Sequence, residues 1–588
     1  MNVAAPAAGS GATIGRCAGE ATMKRAVAVL VVIAAAAAPG PLGRSDAVGD
    51  SSQRVPTFHP IACPDGVFPD DRVVDCGYVV VPEDRREPNG RLIRVAAAVV
   101  HATSPDPGEP IVFLGGGPSF GAISDFALGG YFADWATAEE HDLVLVDTRG
   151  TGISRPRLGC RELDRAEVRA FYAGRFVNSE ALRIFGHALD RCWERYTERG
   201  IDLADYNTHQ SAADLEALRR ALGYDQWNLL AVSADGTLGL TYMRRFPGGI
   251  RSAIIDSGMA PNALWGLDYH VGTVRILNRV FAGCRANAAC RSTYPGLRRL
   301  FERKSRQLKR DPVVVTIPRM RPEPVRLLVD EAGIYSDAIS LIYPGDQFSP
   351  SQIPGVLAFA WKVAHGHLKR PYRRLLGTGP MENSHSQDFL AGGKTMSYVC
   401  RDNVRFITWE DRREAADAAP PFARRFLRRG FDLAAGNNDP RSPAGCRHWP
   451  VGRAGHRQHE LVVSAIPTLV LANRYDLAVP PRMVRPMLPG LSRSTYVVLP
   501  AAFHLSLAFF TNGNECAREI ATDFLVSPET APDTSCVDSL PRLDYTPRRT
   551  TSPLAPGCSD RYGPATGSRV IGIPCRDRNV LWALTRTW

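Results

Sequence analysis

The sequence has no apolar run long enough to cross a bilayer. The longest, at 26–38, is thirteen small residues, where about 20 are needed. It has very few lysines, so the net charge of +11, from 71 basic and 60 acidic residues, is carried almost wholly by arginine. No dense basic stretch is interleaved with aromatics, which removes the usual signature of nucleic-acid binding. Arginine scattered over a solvated surface accounts for the excess. No Cys-x-x-Cys pair has a partner pair, so a structural zinc site is not expected. No internal repeat is visible. What remains is ordinary: 44% hydrophobic and 22% charged residues exclude disorder, collagen and a coiled-coil rod. With 52 glycines and 45 prolines the chain has many turns. Its 588 residues exceed what one core usually supports, so two domains or one enlarged domain are expected.

Met23-Lys24-Arg25, the apolar stretch 26–38, Pro39-Gly40 and a Ser45-Asp46-Ala47 site read as a secretory signal, with small residues at the −3 and −1 positions. Residues 1–47 are therefore read as a leader, with Met23 as the expected true start. Without Cys17, which precedes the signal, twelve cysteines remain. They fall into neighbouring couples: Cys63/Cys76, Cys160/Cys192, Cys284/Cys290, Cys400/Cys446, Cys516/Cys536 and Cys558/Cys575. Spacing does not fix connectivity, and local pairing is the simplest arrangement. Disulfides persist in oxidising compartments, in agreement with export to the periplasm or the exterior. Once the signal is removed, no stable membrane insertion is expected.

Short β-rich runs alternate with helical patterns, as in a parallel sheet with crossover helices. Eight runs stand out, at 78–81, 93–100, 111–114, 143–147, 227–232, 253–256, 467–472 and 495–499. They are rich in Val, Ile and Leu with little alternation, as strands covered on both faces must be. About two hundred residues separate the sixth from the seventh, with helical patterns at 297–308 and 353–365. The expectation is an α/β fold, with an eight-stranded, mostly parallel sheet in two parts, 48–261 and 459–540. Between them lies a mainly helical insertion, 262–458, over the sheet edge where ligands bind. Residues 541–588 read as a Pro/Arg-rich tail.

The residues that could carry chemistry follow these strands. Gly115-Gly116-Gly117-Pro118-Ser119 follows the third and could aim backbone N–H groups at an oxyanion. The fourth ends in Asp147-Thr148-Arg149-Gly150-Thr151-Gly152-Ile153-Ser154, read as a stabilising network with no catalytic step. Ser233 follows the fifth, on a strand–turn–helix bend that exposes a hydroxyl at the sheet edge. Asp476 follows the seventh and His504 the eighth. Ser, acid and His in this order, each just beyond a strand, is the order of the α/β-hydrolases. Asp256, after the sixth strand, is a substitute acid. Ser233 would be the nucleophile, His504 the base and Asp476 the group that fixes the His tautomer. Gly116, Gly117 and Ala234 would supply the oxyanion donors. No metal or organic cofactor is implied.

With these motifs the chain resembles the secreted proline iminopeptidase and tripeptidyl aminopeptidase group of α/β-hydrolases, from about Cys63 to Cys536. Gly116-Gly117-Pro118, Asp147-x-Arg149-Gly150-x-Gly152-x-Ser154 and Leu240-Thr241-Tyr242-Met243-Arg244-Arg245-Phe246-Pro247 carry the likeness. Asp476 with its Val479-Pro480-Pro481 continuation and Asp533-Thr534-Ser535-Cys536-Val537 add to it. The resemblance implies a cap over the site and cleavage of short units from peptide N-termini. It assigns Ser233, Asp476 and His504 the three roles above. The chain departs from the group at its supporting glycines. Ala231 and Asp235 stand in the Gly-x-Ser-x-Gly elbow, Phe503 and Leu505 flank the base, and Ser119 ends the oxyanion loop. A side chain at 235 needs room that a glycine would leave, unless Gly236 absorbs the turn. The expected partner is a peptide or another small acyl substrate. An esterase with the same triad, or a degenerate hydrolase that binds without turnover, are the competing readings.

Overall fold

The computed structural model describes residues 56–547, apart from 119, 126–130, 133–134, 173–178, 318–324, 343–352, 370, 372–390, 420–444 and 509–512. The leader with Met23, Ser119, Cys558, Cys575 and the tail beyond 547 lie outside the described residues. Eleven strands are present in chain order: β1 Phe58–Ile61, β2 Val74–Pro82, β3 Leu92–Val100, β4 Gly108–Leu114, β5 His141–Asp147, β6 Trp227–Val232, β7 Ile250–Asp256, β8 Val313–Ile317, β9 Val325–Val329, β10 Thr468–Asn473 and β11 Ser494–Leu499.

All eight expected runs are strands of one sheet, in the order β1-β2-β3-β5-β4-β6-β7-β10-β11. From β5 to β11 the neighbours are parallel, and β1, β2 and β3 join antiparallel at one side. The sheet has nine strands rather than eight. The added one, Phe-His-Pro-Ile at β1, is short, largely exposed and contains a proline. Such a segment hides from a reading based on apolar runs, and proline is tolerated at a sheet edge. Gly77 of β2 makes room for it, since a Cβ there would lie 2.5 Å from the Phe58 ring.

The parallel strands lack polar alternation because both faces are covered. In β4, Val112 and Leu114 join one apolar cluster, while Ile111 and Phe113 join the other. The same split divides Leu229 and Ala231 from Leu230 and Val232 in β6. Successive side chains of a strand point to opposite faces, so two cores sandwich the sheet. The helices Thr208–Leu222 and Gly236–Arg245 pack on the first face, and Asn514–Val526 on the second.

Between β7 and β10 the described residues are mostly helical, with Trp265–Ala286, Leu297–Arg310, Glu331–Ser340, Ile353–Ala364 and Gly392–Asp402 among the helices. It also holds the β8–β9 hairpin, a separate two-stranded sheet that the sequence reading did not anticipate. These elements build a third cluster that includes Tyr475, Leu477, Ala501 and Phe503. The insertion thus packs directly on the loops that follow β10 and β11. Five expected cysteine couples are disulfides: Cys63–Cys76, Cys160–Cys192, Cys284–Cys290, Cys400–Cys446 and Cys516–Cys536. No helix among the described residues is long and apolar enough to cross a membrane.

Candidate active site

The C-terminal ends of β4, β6, β7, β10 and β11 lie along one edge of the sheet, as the register Leu114↔Ala231, Val232↔Asp256, Leu471↔Asp256 and Asn473↔Leu499 requires. Ser233 follows β6 directly and opens the turn Ser233–Asp235, which runs into the helix Gly236–Arg245. Its φ is +55°, a left-handed conformation that costs an L-residue about 1–3 kcal/mol and persists only where the surroundings impose it. Here a fully buried strand and a buried helix impose it from either side.

The helix approaches the strand closely even though Ala231 and Asp235 replace the elbow glycines. A Cβ on Gly239 would lie 2.7 Å from the Ala231 methyl, and one on Gly236 would lie 2.6 Å from both Gly258 Cα and Met259 N. Glycines at 236, 239 and 258 therefore supply the room that the sequence motif puts elsewhere. Asp235 turns its carboxylate across to the glycine loop, where the Gly116 N–H donates to Oδ2 at 3.0 Å. Gly116 itself has a φ of +82°, and a Cβ there would sit 2.8 Å from Ser233 Cβ. Only a glycine lets this loop come so close to the nucleophile turn.

Asp476 and His504 converge on the same point. His504 Nδ1 lies 2.8 Å from Asp476 Oδ2, and Nε2 lies 3.1 Å from Ser233 Oγ. An ionised carboxylate only accepts hydrogen bonds, so Nδ1 carries the proton and Nε2 is left to accept from the serine hydroxyl. Asp476 Oδ1 accepts from the Ala478 and Val479 amides at 2.9 and 2.8 Å. Burial pushes the Asp476 carboxyl above the ordinary carboxylate range, against the pull of His504 and these two amides. The three side chains are 7%, 5% and 0% exposed for Ser233, His504 and Asp476, so bulk water has little access to the line they form.

Asp256, the substitute acid, has a different position in the network. It accepts from the amides of Ser506 and Leu507 at 2.8 and 3.0 Å, from Tyr131 OH at 2.7 Å and from Ser257 Oγ at 3.1 Å. Ser257 Oγ accepts in turn from Leu505 N and Asn473 Nδ2, and Ser506 Oγ donates to Asn473 Oδ1. These buried groups fasten the His504 loop to the ends of β7 and β10. The sequence reading missed Ser257, Asn473 and Ser506; the one available signal was polar residues at the ends of otherwise apolar strands.

Of the expected oxyanion donors, Gly116 spends its N–H on Asp235. Ala234 N lies in the first turn of the helical segment, where no intrahelical acceptor exists, and Gly117 adjoins it in the loop. Burial pushes the Asp235 carboxyl up to about 6, opposed by the Gly116 amide and the charge of Lys394. Lys394, buried on the helix Gly392–Asp402, is pushed down to about 8 by burial and by Arg149. Tyr398 of that helix brings its hydroxyl to 3.5 Å from the Ala234 carbonyl. The helix Gly392–Asp402 therefore reaches the turn that carries Ser233.

The Asp147 motif builds a buried scaffold. Asp147 accepts from Ile123 N and Ile153 N, and Ser154 Oγ links the Asp147 carbonyl to Ala96 N. Arg149 makes a two-pronged pair with Asp214 at 2.6 and 2.7 Å. Among the described residues, the one grouping of metal-ligand atoms is Cys160, Glu162 and Cys192. Its sulfurs are bonded to each other and its carboxylate is paired with Arg195.

Residues 109–333 match the family described as alpha/beta hydrolase fold, and residues 433–536 match the TAP-like protein family. Ser233 lies in the first region, Asp476 and His504 in the second. The chain is 31% identical over 227 residues to serine protease Hip1 of Mycobacterium tuberculosis, covering 37% of this chain and 42% of that protein. It is 34% identical over 199 residues to tripeptidyl aminopeptidase of Streptomyces lividans, covering 32% and 36%. The matched stretch thus spans less than half the length of these curated relatives. Among solved structures, proline iminopeptidase of Mycobacterium smegmatis aligns with 15% identity and a TM-score of 0.31, over 77% of this chain and 98% of that one.

Proposed function

We propose that this chain, whose residues 109–333 match the alpha/beta hydrolase fold family and 433–536 the TAP-like family, is an exported serine exopeptidase. It releases short units from peptide N-termini through Ser233, His504 and Asp476. The observation that carries this reading is the unbroken hydrogen-bonded line from Asp476 through His504 to Ser233. Ser233 Oγ attacks the scissile carbonyl as its proton passes to His504 Nε2, and Asp476 stabilises the imidazolium that forms. The Gly117 and Ala234 amides hold the tetrahedral oxyanion. His504 then returns the proton to the departing amine, and water hydrolyses the acyl-enzyme by the same route.

Peptide substrates are favoured by the names of the relatives, a serine protease and a tripeptidyl aminopeptidase. Cleavage at chain ends fits a helical insertion, 262–458, acting as a cap over a serine that is only 7% exposed. Five disulfides support an oxidising destination. The non-catalytic reading rested on Asp235 and the lost glycines; against it, the Asp235 carboxylate has its own place against Gly116, and Gly236, Gly239 and Gly258 allow the close approach.

A fluorophosphonate probe labels the protein and fails to label Ser233→Ala. An unblocked tripeptide amide is hydrolysed, while its N-acetylated form loses at least about 100-fold in kcat/KM, because a site built to pair a free amine rejects a blocked one. Equal rates on the two peptides, or faster turnover of a simple ester, overturn the exopeptidase and leave an esterase. Undiminished labelling of Ser233→Ala overturns the nucleophile.

A further inference from the structure

Part of the arginine content, read from the sequence as scattered over the surface, converges in one place. A cavity of about 710 Å³ is lined by Arg85, Arg86, Arg244, Arg245, Arg401 and Arg457, drawn from four separate stretches of the chain. It lies at the far end of the helix Gly236–Arg245 from Ser233, about 15 Å along the axis at 1.5 Å per residue. Arg85 is paired with Asp214 and Arg86 with Asp84. Among the described residues, Arg244, Arg245, Arg401 and Arg457 have no carboxylate within ion-pairing distance.

Two carboxylates line the same cavity, but they do not neutralise these four. Asp402 accepts from the Thr208 amide and hydroxyl at 2.8 and 2.6 Å. Asp205 Oδ2 is buried with no partner of its own. Arg245 donates to the His209 carbonyl and Arg401 to the Val451 carbonyl, contacts that satisfy a donor without cancelling a charge. Arg401 Nε is buried without a partner. A guanidinium offers five donors, so much of this capacity is unspent. Arg244 and Arg245 end a helix, where cations are favoured, yet that accounts for neither Arg401 nor Arg457.

The electrostatics carry the same message. Burial and Arg85 push Arg245 down to about 10 against the pull of Asp214, and burial and Arg457 lower Arg244 against that of Glu460. Burial and the surrounding arginines hold His209 down at about 4. Like charges have been brought together in a hollow whose two carboxylates leave Arg244, Arg245, Arg401 and Arg457 without an ion pair among the described residues.

We propose that this hollow is a binding site for a small oligo-anionic ligand carrying two or more phosphate or sulfate groups, distinct from the hydrolytic centre. Its volume is in the range of small-molecule sites, about 300–1,000 Å³. Arginine's planar fork matches tetrahedral oxyanions through paired hydrogen bonds. A concave setting also concentrates the positive field.

Calorimetric titration of the full-length protein at low salt, with inorganic tripolyphosphate and separately with sucrose octasulfate, tests the site. Saturable one-to-one binding is expected, weakening as salt is raised. Arg244→Ala/Arg457→Ala should weaken it about tenfold or more. Arg299→Ala/Arg303→Ala, which removes the same charge from an exposed helix face, should weaken it by less than about twofold. The better of the two probes tells phosphate from sulfate recognition. No saturation by either probe at millimolar concentration, or equal weakening in both double variants, overturns the proposal. Arginine modification by phenylglyoxal needs no variant. Tripolyphosphate should shield Arg244 and Arg457 and leave Arg299 and Arg303 reactive, and uniform shielding counts against the site. Fluorophosphonate labelling of Ser233 should be unchanged in Arg244→Ala/Arg457→Ala, so this claim and the hydrolytic one fail separately.

Discussion

The loops beyond β6, β7, β10 and β11 and the arginine hollow treat their polar groups in opposite ways. Around Ser233 the buried donors and acceptors form a closed circuit. Asp476 takes three hydrogen bonds and Asp256 takes four, and both oxygens of each carboxylate are occupied. In the hollow, four guanidiniums face each other with no matching carboxylates, and two buried polar atoms lack partners. A satisfied network holds its members in one geometry, as preorganised catalysis needs. An unsatisfied one gains most from a ligand that completes it.

Breaking the closed circuit should have the largest effect. Asp476→Asn keeps the shape but offers His504 Nδ1 a donor or a neutral acceptor, which favours the wrong tautomer. A fall in kcat of about 10³–10⁴ is expected with the fold intact, read from burst kinetics alongside circular dichroism. A variant within tenfold of wild type would show that the line to Ser233 does not carry the proton.

Next comes the contact that lets the elbow close. Gly236→Ala drives a methyl to 2.6 Å from the backbone of Gly258 and Met259, where nothing flexible can yield. Denaturant unfolding should lose about 2–3 kcal/mol, and Gly248→Ala, with nothing within 4 Å, should lose far less. Equal losses would mean that the helix approaches the strand less closely than described.

The smallest effect is expected at Asp235, which couples the nucleophile turn to the glycine loop. Its folded value of about 6 lies above the unfolded value near 3.8, so folding favours the protonated form. The corresponding advantage is complete below pH 4 and is lost as pH rises through 6. Asp235→Asn cannot ionise, so it should gain on wild type by about 2 kcal/mol between pH 4 and pH 7. Thermal melts of the two proteins across that window measure the gap, and a gap that stays constant with pH would remove the buried, ionisable tie to Gly116.

The eight runs of the main sheet were legible as β-rich stretches between turns, and the parallel ones among them most clearly because burial on both faces forces continuous apolar strands. The order Ser, Asp, His was legible because each residue sits within a few positions of the end of such a strand. β1 was not, since a four-residue edge strand with Pro60 buries little. The β8–β9 hairpin was lost among helical patterns. The meaning of Asp235 was hidden for another reason: a motif read along the chain marks it as a missing glycine, while its partner Gly116 is 119 positions away. The hollow was beyond reach altogether, because its arginines are neighbours only after folding. Asp256 was read as a candidate acid, and its bonds to Ser506 and Leu507 make it a holder of the His504 loop.

The hydrogen bond between His504 and Ser233 joins residues 271 positions apart, with the whole helical insertion between them. A ribosome therefore finishes the nucleophile turn long before it makes the base or the acid. Until β10 and β11 have emerged and docked beside β7, the unfinished polypeptide holds a serine with nothing to take its proton. On the proposed mechanism, the order of these elements along the chain leaves Ser233 without its base until nearly all of the core has been made.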